Sequence, residues 1–141
     1  MDFGNNIESI EKTITKYLRG KGEILFAYIF GSLAKKTSNR LSDIDIAIYI
    51  DDKKIDNSKF RYGYQAEVMT DLIGLLKTRK VDLVILNSTP PLLKHRVIYF
   101  GELIYSIDEK ERIRFQVDTI NRYIDYKMLQ RKTLTKRKVV A

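Results

Sequence analysis

The sequence contains no cysteine, one histidine and two prolines in 141 residues. Without cysteine there is no disulfide and no thiolate metal site, which fits a cytoplasmic protein. A lone histidine, His95, cannot assemble a His-rich zinc centre, so it is expected to be a structural or surface residue. No apolar run approaches the roughly 18–20 residues that span a bilayer; the longest is Ile24–Phe30, and no membrane association is expected. The opening segment "MDFGNNIESI" lacks the basic stretch and apolar core of a secretory signal. The expectation is one domain over 1–141, with a basic tail, 131–141, that frays.

Acidic residues are also in short supply: 18 against 26 lysines and arginines, for a net charge of +8. The last fifteen residues, "KMLQRKTLTKRKVVA", carry no acid at all. Such a balance favours polyanionic partners: nucleotides, nucleic acid or an acidic protein face. No RNA-reading motif accompanies it, so nucleic acid is not expected as a direct ligand.

Apolar periodicity lays out the elements. Asn5-x-x-Glu8 reads as a capping box, followed by Ile7, Ile10, Ile14, Tyr17 and Leu18 at helical spacing until Gly20 and Gly22. "ILFAYIF" (24–30) reads as a strand buried on both faces. "DIDIAIYI" (43–50) alternates, with Ile44, Ile46, Ile48 and Ile50 on one face and Asp43, Asp45, Ala47 and Tyr49 on the other. A helix is predicted over 60–80, with Ala66, Met69, Ile73 and Leu76 inward, then a strand over 81–87. Ser88 or Thr89 is expected to cap a short helix that opens on Pro90 and Pro91 and closes at Gly101. "ELIYS" reads as an edge strand. Ser106-x-x-Glu109 then reads as the cap of a last helix with a seam of Ile113, Val117, Ile120 and Ile124.

The chemistry sits where the apolar pattern is broken. Asp43 and Asp45 are two apart on a strand and project from one face. Like charges so close raise one pKa unless a cation lies between them, and hard divalent ions such as Mg²⁺ seek such carboxylates together with phosphate oxygens. Asp82 interrupts the next buried strand; if the two strands are neighbours, all three acids can converge on one metal cluster. Gly31 directly follows a buried strand, and the segment after it begins Ser32-Leu33-Ala34-Lys35-Lys36. A strand–turn–helix with Gly at the turn lets backbone N–H groups approach phosphate. Ser32 adds a hydroxyl, and Lys35, Lys36 or Arg40 can contact phosphate. A phosphate cradle joined to a two-metal carboxylate site suits phosphoryl or nucleotidyl transfer. At average residue frequencies, Gly-Ser-x10-Asp-x-Asp occurs by chance in roughly one chain of this length per thousand, so the pattern carries weight.

Gly31-Ser32-x10-Asp43-x-Asp45, with Asp82 as third carboxylate, resembles the signature of the DNA-polymerase-β-like nucleotidyltransferases. "VDLVILNSTPPLLKHRVIYFGELIYS" and "RFQVDTINRYIDYKMLQRK" are similar to segments of one branch, the minimal nucleotidyltransferase (MNT) antitoxins that partner HEPN ribonuclease toxins. The resemblance implies an α+β fold: a mixed sheet flanked by helices, with a C-terminal helix. It implies catalytic, metal-binding Asp43, Asp45 and Asp82, and nucleotide-binding Gly31, Ser32 and Lys36. It implies two Mg²⁺ ions, ATP as donor, and transfer of AMP to a tyrosine hydroxyl of a HEPN toxin held in a hetero-oligomer. Many relatives have Arg-Gly where this chain has Lys35-Lys36, a departure in the phosphate loop. Two other readings stay open from sequence: an antitoxin that acts by binding alone, and a nucleotidyltransferase acting on a small molecule.

Overall fold

In the computed structural model, residues 7–31, 43–59 and 63–140 are described, with side chains as far as Thr133. Two adjoining strands organise them. β1 (Ile24–Phe30) is apolar throughout, and β2 (Ile44–Ile50) alternates; they pair antiparallel at the centre of a four-stranded sheet ordered β3-β2-β1-β4. β3 (Val81–Ile85) runs parallel to β2 at one edge, and β4 (Glu102–Ser106) runs antiparallel to β1 at the other. The sheet is therefore mixed, as the resemblance implies.

Alternation decides what covers each face. Ile44, Ile46, Ile48 and Ile50 meet α1 (Ile7–Arg19) through Ile10, Ile14 and Leu18, and α2 (Tyr64–Leu76) through Tyr64, Val68, Leu72 and Leu76. The opposite face carries Phe26, Tyr28, Ala47, Tyr49 and Val84. It is covered by α3 (Pro91–Phe100) through Leu93 and Val97 and by α4 (Glu109–Val140) through Phe115. A bulge after Ile24 turns both Leu25 and Phe26 toward this second face. There Phe26 stacks on Tyr49 with ring centroids 4.7 Å apart, and Phe115 packs against both.

Several expectations shift. The Asn5 half of the first capping box lies outside the described residues, as do positions 60–62. α2 ends at Leu76 because Lys77 adopts the left-handed conformation (φ 54°). Its buried series is Tyr64, Val68, Leu72 and Leu76, whereas Met69 and Ile73 are only partly covered and Ala66 is half-buried. Two apolar series share this helix, and the one led by Tyr64, whose hydroxyl bonds Glu23, faces the sheet. The third strand stops at Ile85; Leu86–Ser88 form a 3-10 turn in which the Asn87 side chain bonds both the N–H and the C=O of Ile50. Neither Ser88 nor Thr89 caps α3: Pro90 holds that position without a side-chain bond, and the Thr89 hydroxyl donates to the Ile85 carbonyl instead.

The cap of α4 also moves. The Asp108 carboxylate accepts from the Glu111 N–H, while the buried Ser106 hydroxyl has no partner. Replacing Asp108 by Ala is expected to cost about 1 kcal/mol. Ser106→Ala should be neutral or slightly stabilising, since it removes a buried, unpaired hydroxyl. Urea unfolding of both variants checks the assignment.

Gly101 fixes α3 against the sheet. A Cβ there would overlap the Val97 carbonyl and press on the Ile29 carbonyl at 3.1 Å. Gly101→Ala is expected to lower stability by about 1–3 kcal/mol, measured by the same method.

Candidate active site

The carboxylates cluster at one end of the sheet because of strand register. In β2–β3 pairing Asp45 is directly opposite Asp82, and in β1–β2 pairing it is opposite Phe30. Phe30 packs with the cluster under α3 and α4, so Asp45 and Asp82 share that face, and Asp43 precedes Asp45 by two positions on the same side. The condition set by the sequence, that the two acid-bearing strands be neighbours, is met. Asp45 is half-buried; Asp43 and Asp82 are exposed.

Electrostatics reflects this arrangement. The Asp45 carboxyl is pushed above its usual range by burial first, then by the charge of Asp82, then by that of Asp43. Even so, no three acidic or imidazole side chains among the described residues close on a common point tightly enough to hold an ion. Bare carboxylates repel, and the two exposed members are free to point into water. The donor set itself fits a hard divalent cation: oxygen donors only, two of them on directly paired residues, in a field that penalises their negative charge.

Gly31 does more than turn the chain. Its φ is +72°, a region L side chains rarely adopt, and a Cβ there would overlap the Asp45 Oδ2 atom. The glycine that follows β1 thus lies against the central carboxylate. Sequence reasoning gave Gly31 a role toward phosphate and missed this contact, because only the β1–β2 register reveals it. Ser32, Lys35, Lys36 and Arg40 lie outside the described residues.

His95 stacks on Tyr123 of α4 at 3.5 Å between ring centroids and on Tyr99 at 5.8 Å, the structural role expected of it.

Residues 12–110 match the model of the polymerase beta nucleotidyltransferase family, a stretch that includes Gly31, all three aspartates and every strand. The chain belongs to this family. Members similar to it include the protein adenylyltransferase MntA of Shewanella oneidensis, 32% identical over 114 residues, or 80% of this chain and 76% of that protein. A putative protein adenylyltransferase of Methanocaldococcus jannaschii is 33% identical over 93 residues, 66% of this chain and 91% of its own. Among solved structures, a toxin–antitoxin crystal structure with AMP-PNP is similar over 93% of this chain and 98% of the matched chain, at 30% identity and a TM-score of 0.70. A structure of tri-AMPylated Shewanella oneidensis HEPN toxin in complex with MNT antitoxin is similar over 96% and 99%, at 27% identity and a TM-score of 0.67. These similarities extend over the nucleotidyltransferase fold and into its C-terminal helix.

Proposed function

We propose that this protein transfers AMP from ATP to a tyrosine hydroxyl of a cognate HEPN toxin and thereby acts as its antitoxin. One observation carries the reading: Gly31, Asp45 and Asp82 meet at one end of the sheet, with Asp43 beside them, in a family whose chemistry is nucleotidyl transfer. The tyrosine acceptor and the silencing effect rest on the resemblance to MNT antitoxins. The donor is supported by the likeness to a toxin–antitoxin with AMP-PNP, and the AMP product by the likeness to a complex whose toxin is AMPylated.

In this reading the acceptor oxygen bonds to the α-phosphorus, the bond from that phosphorus to the bridging oxygen breaks, and pyrophosphate leaves. Asp43, Asp45 and Asp82 would hold two Mg²⁺ ions, which, when bound, neutralise the triphosphate and polarise the attacking and leaving oxygens. Asp82, exposed at the sheet edge, accepts the proton of the incoming hydroxyl. Gly31 brings backbone close to phosphate while keeping Asp45 in place, and Ser32 and Lys36 contact the phosphates. Apart from that proton transfer, the chain contributes mainly position and charge neutralisation.

ATP labelled on the α-phosphate, incubated with toxin, antitoxin and Mg²⁺, should leave label on the toxin; ATP labelled on the γ-phosphate should leave none. Chelation by EDTA should stop the transfer. Label retained from the γ-phosphate would mean a kinase, and unlabelled toxin in both cases would remove the transfer reading.

A further inference from the structure

The helix seam expected from sequence does not face the domain. α4 packs through Phe115, Thr119 and Tyr123. Ile113, Val117, Ile120, Ile124 and Met128 are between 42% and 54% exposed. At 3.6 residues per turn they share an arc of about 80°, centred about 140° around the helix from the packed side chains. The stripe is about 22 Å long. From Ile124 to Thr133 every side chain is exposed. A helical stretch with that little support is marginal alone in water, and a continuous apolar stripe gives it a second packing face.

We propose that this outward stripe of α4 is the surface on which the acceptor toxin docks; the inference rests on the functional reading above. Three observations favour the toxin as occupant. First, the similarity to chains of solved toxin–antitoxin complexes covers 93–96% of this chain, which leaves too few unmatched residues to omit the 32-residue α4. Second, α4 starts at the sheet end opposite the carboxylates. It packs on the face from which they project: Phe115 lies against Phe26 and Tyr49, Gln116 bonds Tyr28, and Asp45 and Asp82 belong to that same side of the sheet. A protein seated on α4 is therefore on the side of the sheet that presents the acids. Third, Lys127, Arg131 and Lys132 border the distal stripe. A second copy paired in parallel would set these cations against themselves. In antiparallel pairing they would meet the first turns of α4, where Asp108 caps the helix, Glu109 and Glu111 are already paired with Arg112 and Arg114, and Lys110 adds a further cation. The fitting partner is a helical surface with an apolar groove about 20 Å long, rimmed by carboxylates.

The test uses the full-length protein with Ile120→Asp and Ile124→Asp combined, and Leu129→Asp as an exposed control on the other side of the helix. Binding to the toxin is measured by calorimetry, AMP-PNP binding separately, and the mass of the antitoxin alone by light scattering. The stripe variant is expected to lose about 100-fold or more in toxin affinity with AMP-PNP binding unchanged, while Leu129→Asp stays within about threefold of the wild type. Toxin affinity unchanged in the stripe variant would overturn the proposal. So would a wild-type dimer that the stripe variant dissolves without weakening toxin binding, since a second copy would then own the surface. Weakened binding with no AMP transferred even by the wild type would support the interface while defeating the transfer reading.

Discussion

Asp45→Asn is expected to abolish AMP transfer, by about 10³-fold or more, while leaving the fold intact and slightly more stable. The activity loss follows from its place at the centre of the acid group: it is opposite Asp82 in the register and two residues from Asp43. An amide at that position no longer brings negative charge to a divalent cation, and two-metal chemistry depends on that charge. The stability effect has the opposite sign for the same reason. Burial and two neighbouring carboxylates raise the Asp45 pKa, so its ionised form opposes folding. A group whose folded pKa lies above the unfolded value destabilises at higher pH, and the penalty is relieved as pH falls through the folded pKa. In EDTA near pH 7 the asparagine variant should therefore melt a little higher than the wild type. That advantage should vanish as pH falls below the usual aspartate range. Scanning calorimetry at several pH values checks it, and a lower melting point at neutral pH would count against the electrostatic account.

Gly31→Ala is expected to damage both stability and activity, and for separable reasons. The positive φ of Gly31 is costly for a residue with a Cβ, about 1–2 kcal/mol. The new methyl would also occupy the position of the Asp45 Oδ2 atom, so the carboxylate must rotate away or the β1 end must shift. Displacement of about 1 Å in a positioned catalytic group is enough to cost about 10²-fold in rate. Transfer should fall by that factor or more even under conditions where the variant is fully folded. Single-turnover kinetics on folded variant measures it. A variant that is destabilised but turns over at the wild-type rate would show that Asp45 has room to move and that the contact is incidental.

Much of the architecture was legible because the sheet strands announce themselves locally. "DIDIAIYI" alternates so strictly that its acid-bearing face follows from period alone, and "ILFAYIF", apolar on both faces, reads as a strand covered on both sides. What local pattern does not contain is register. That Asp45 faces Asp82 rather than Val84, and that Gly31 abuts Asp45, depends on the pairing of segments far apart in the chain. Helix phase was legible only where one apolar series existed. α1 has one, Ile10, Ile14 and Leu18, and it is buried as expected. α2 and α4 each carry two, and in both the choice was made by a single large aromatic: Tyr64 in α2 and Phe115 in α4. The α4 cap was misread for a similar reason. Two capping patterns overlap, and Asp108, with Glu111 three residues on, is the one whose carboxylate meets the helix N–H.

Among the described residues no helix is long and apolar enough to cross a membrane, and the exposed apolar side chains of α4 are interleaved with charges. α4 covers, through Phe115, the same face of the sheet from which the carboxylates of β2 and β3 project, and its exposed stripe points away from that face.

The most direct test is intact-mass spectrometry of the cognate HEPN toxin after incubation with this protein, ATP and Mg²⁺, alongside the Asp43→Asn/Asp45→Asn double variant. The account predicts mass increments of one AMP or whole multiples of it on the toxin with the wild type, none with the double variant, and a modified tyrosine on peptide mapping. A toxin of unchanged mass that is nevertheless bound and silenced by both proteins would contradict it.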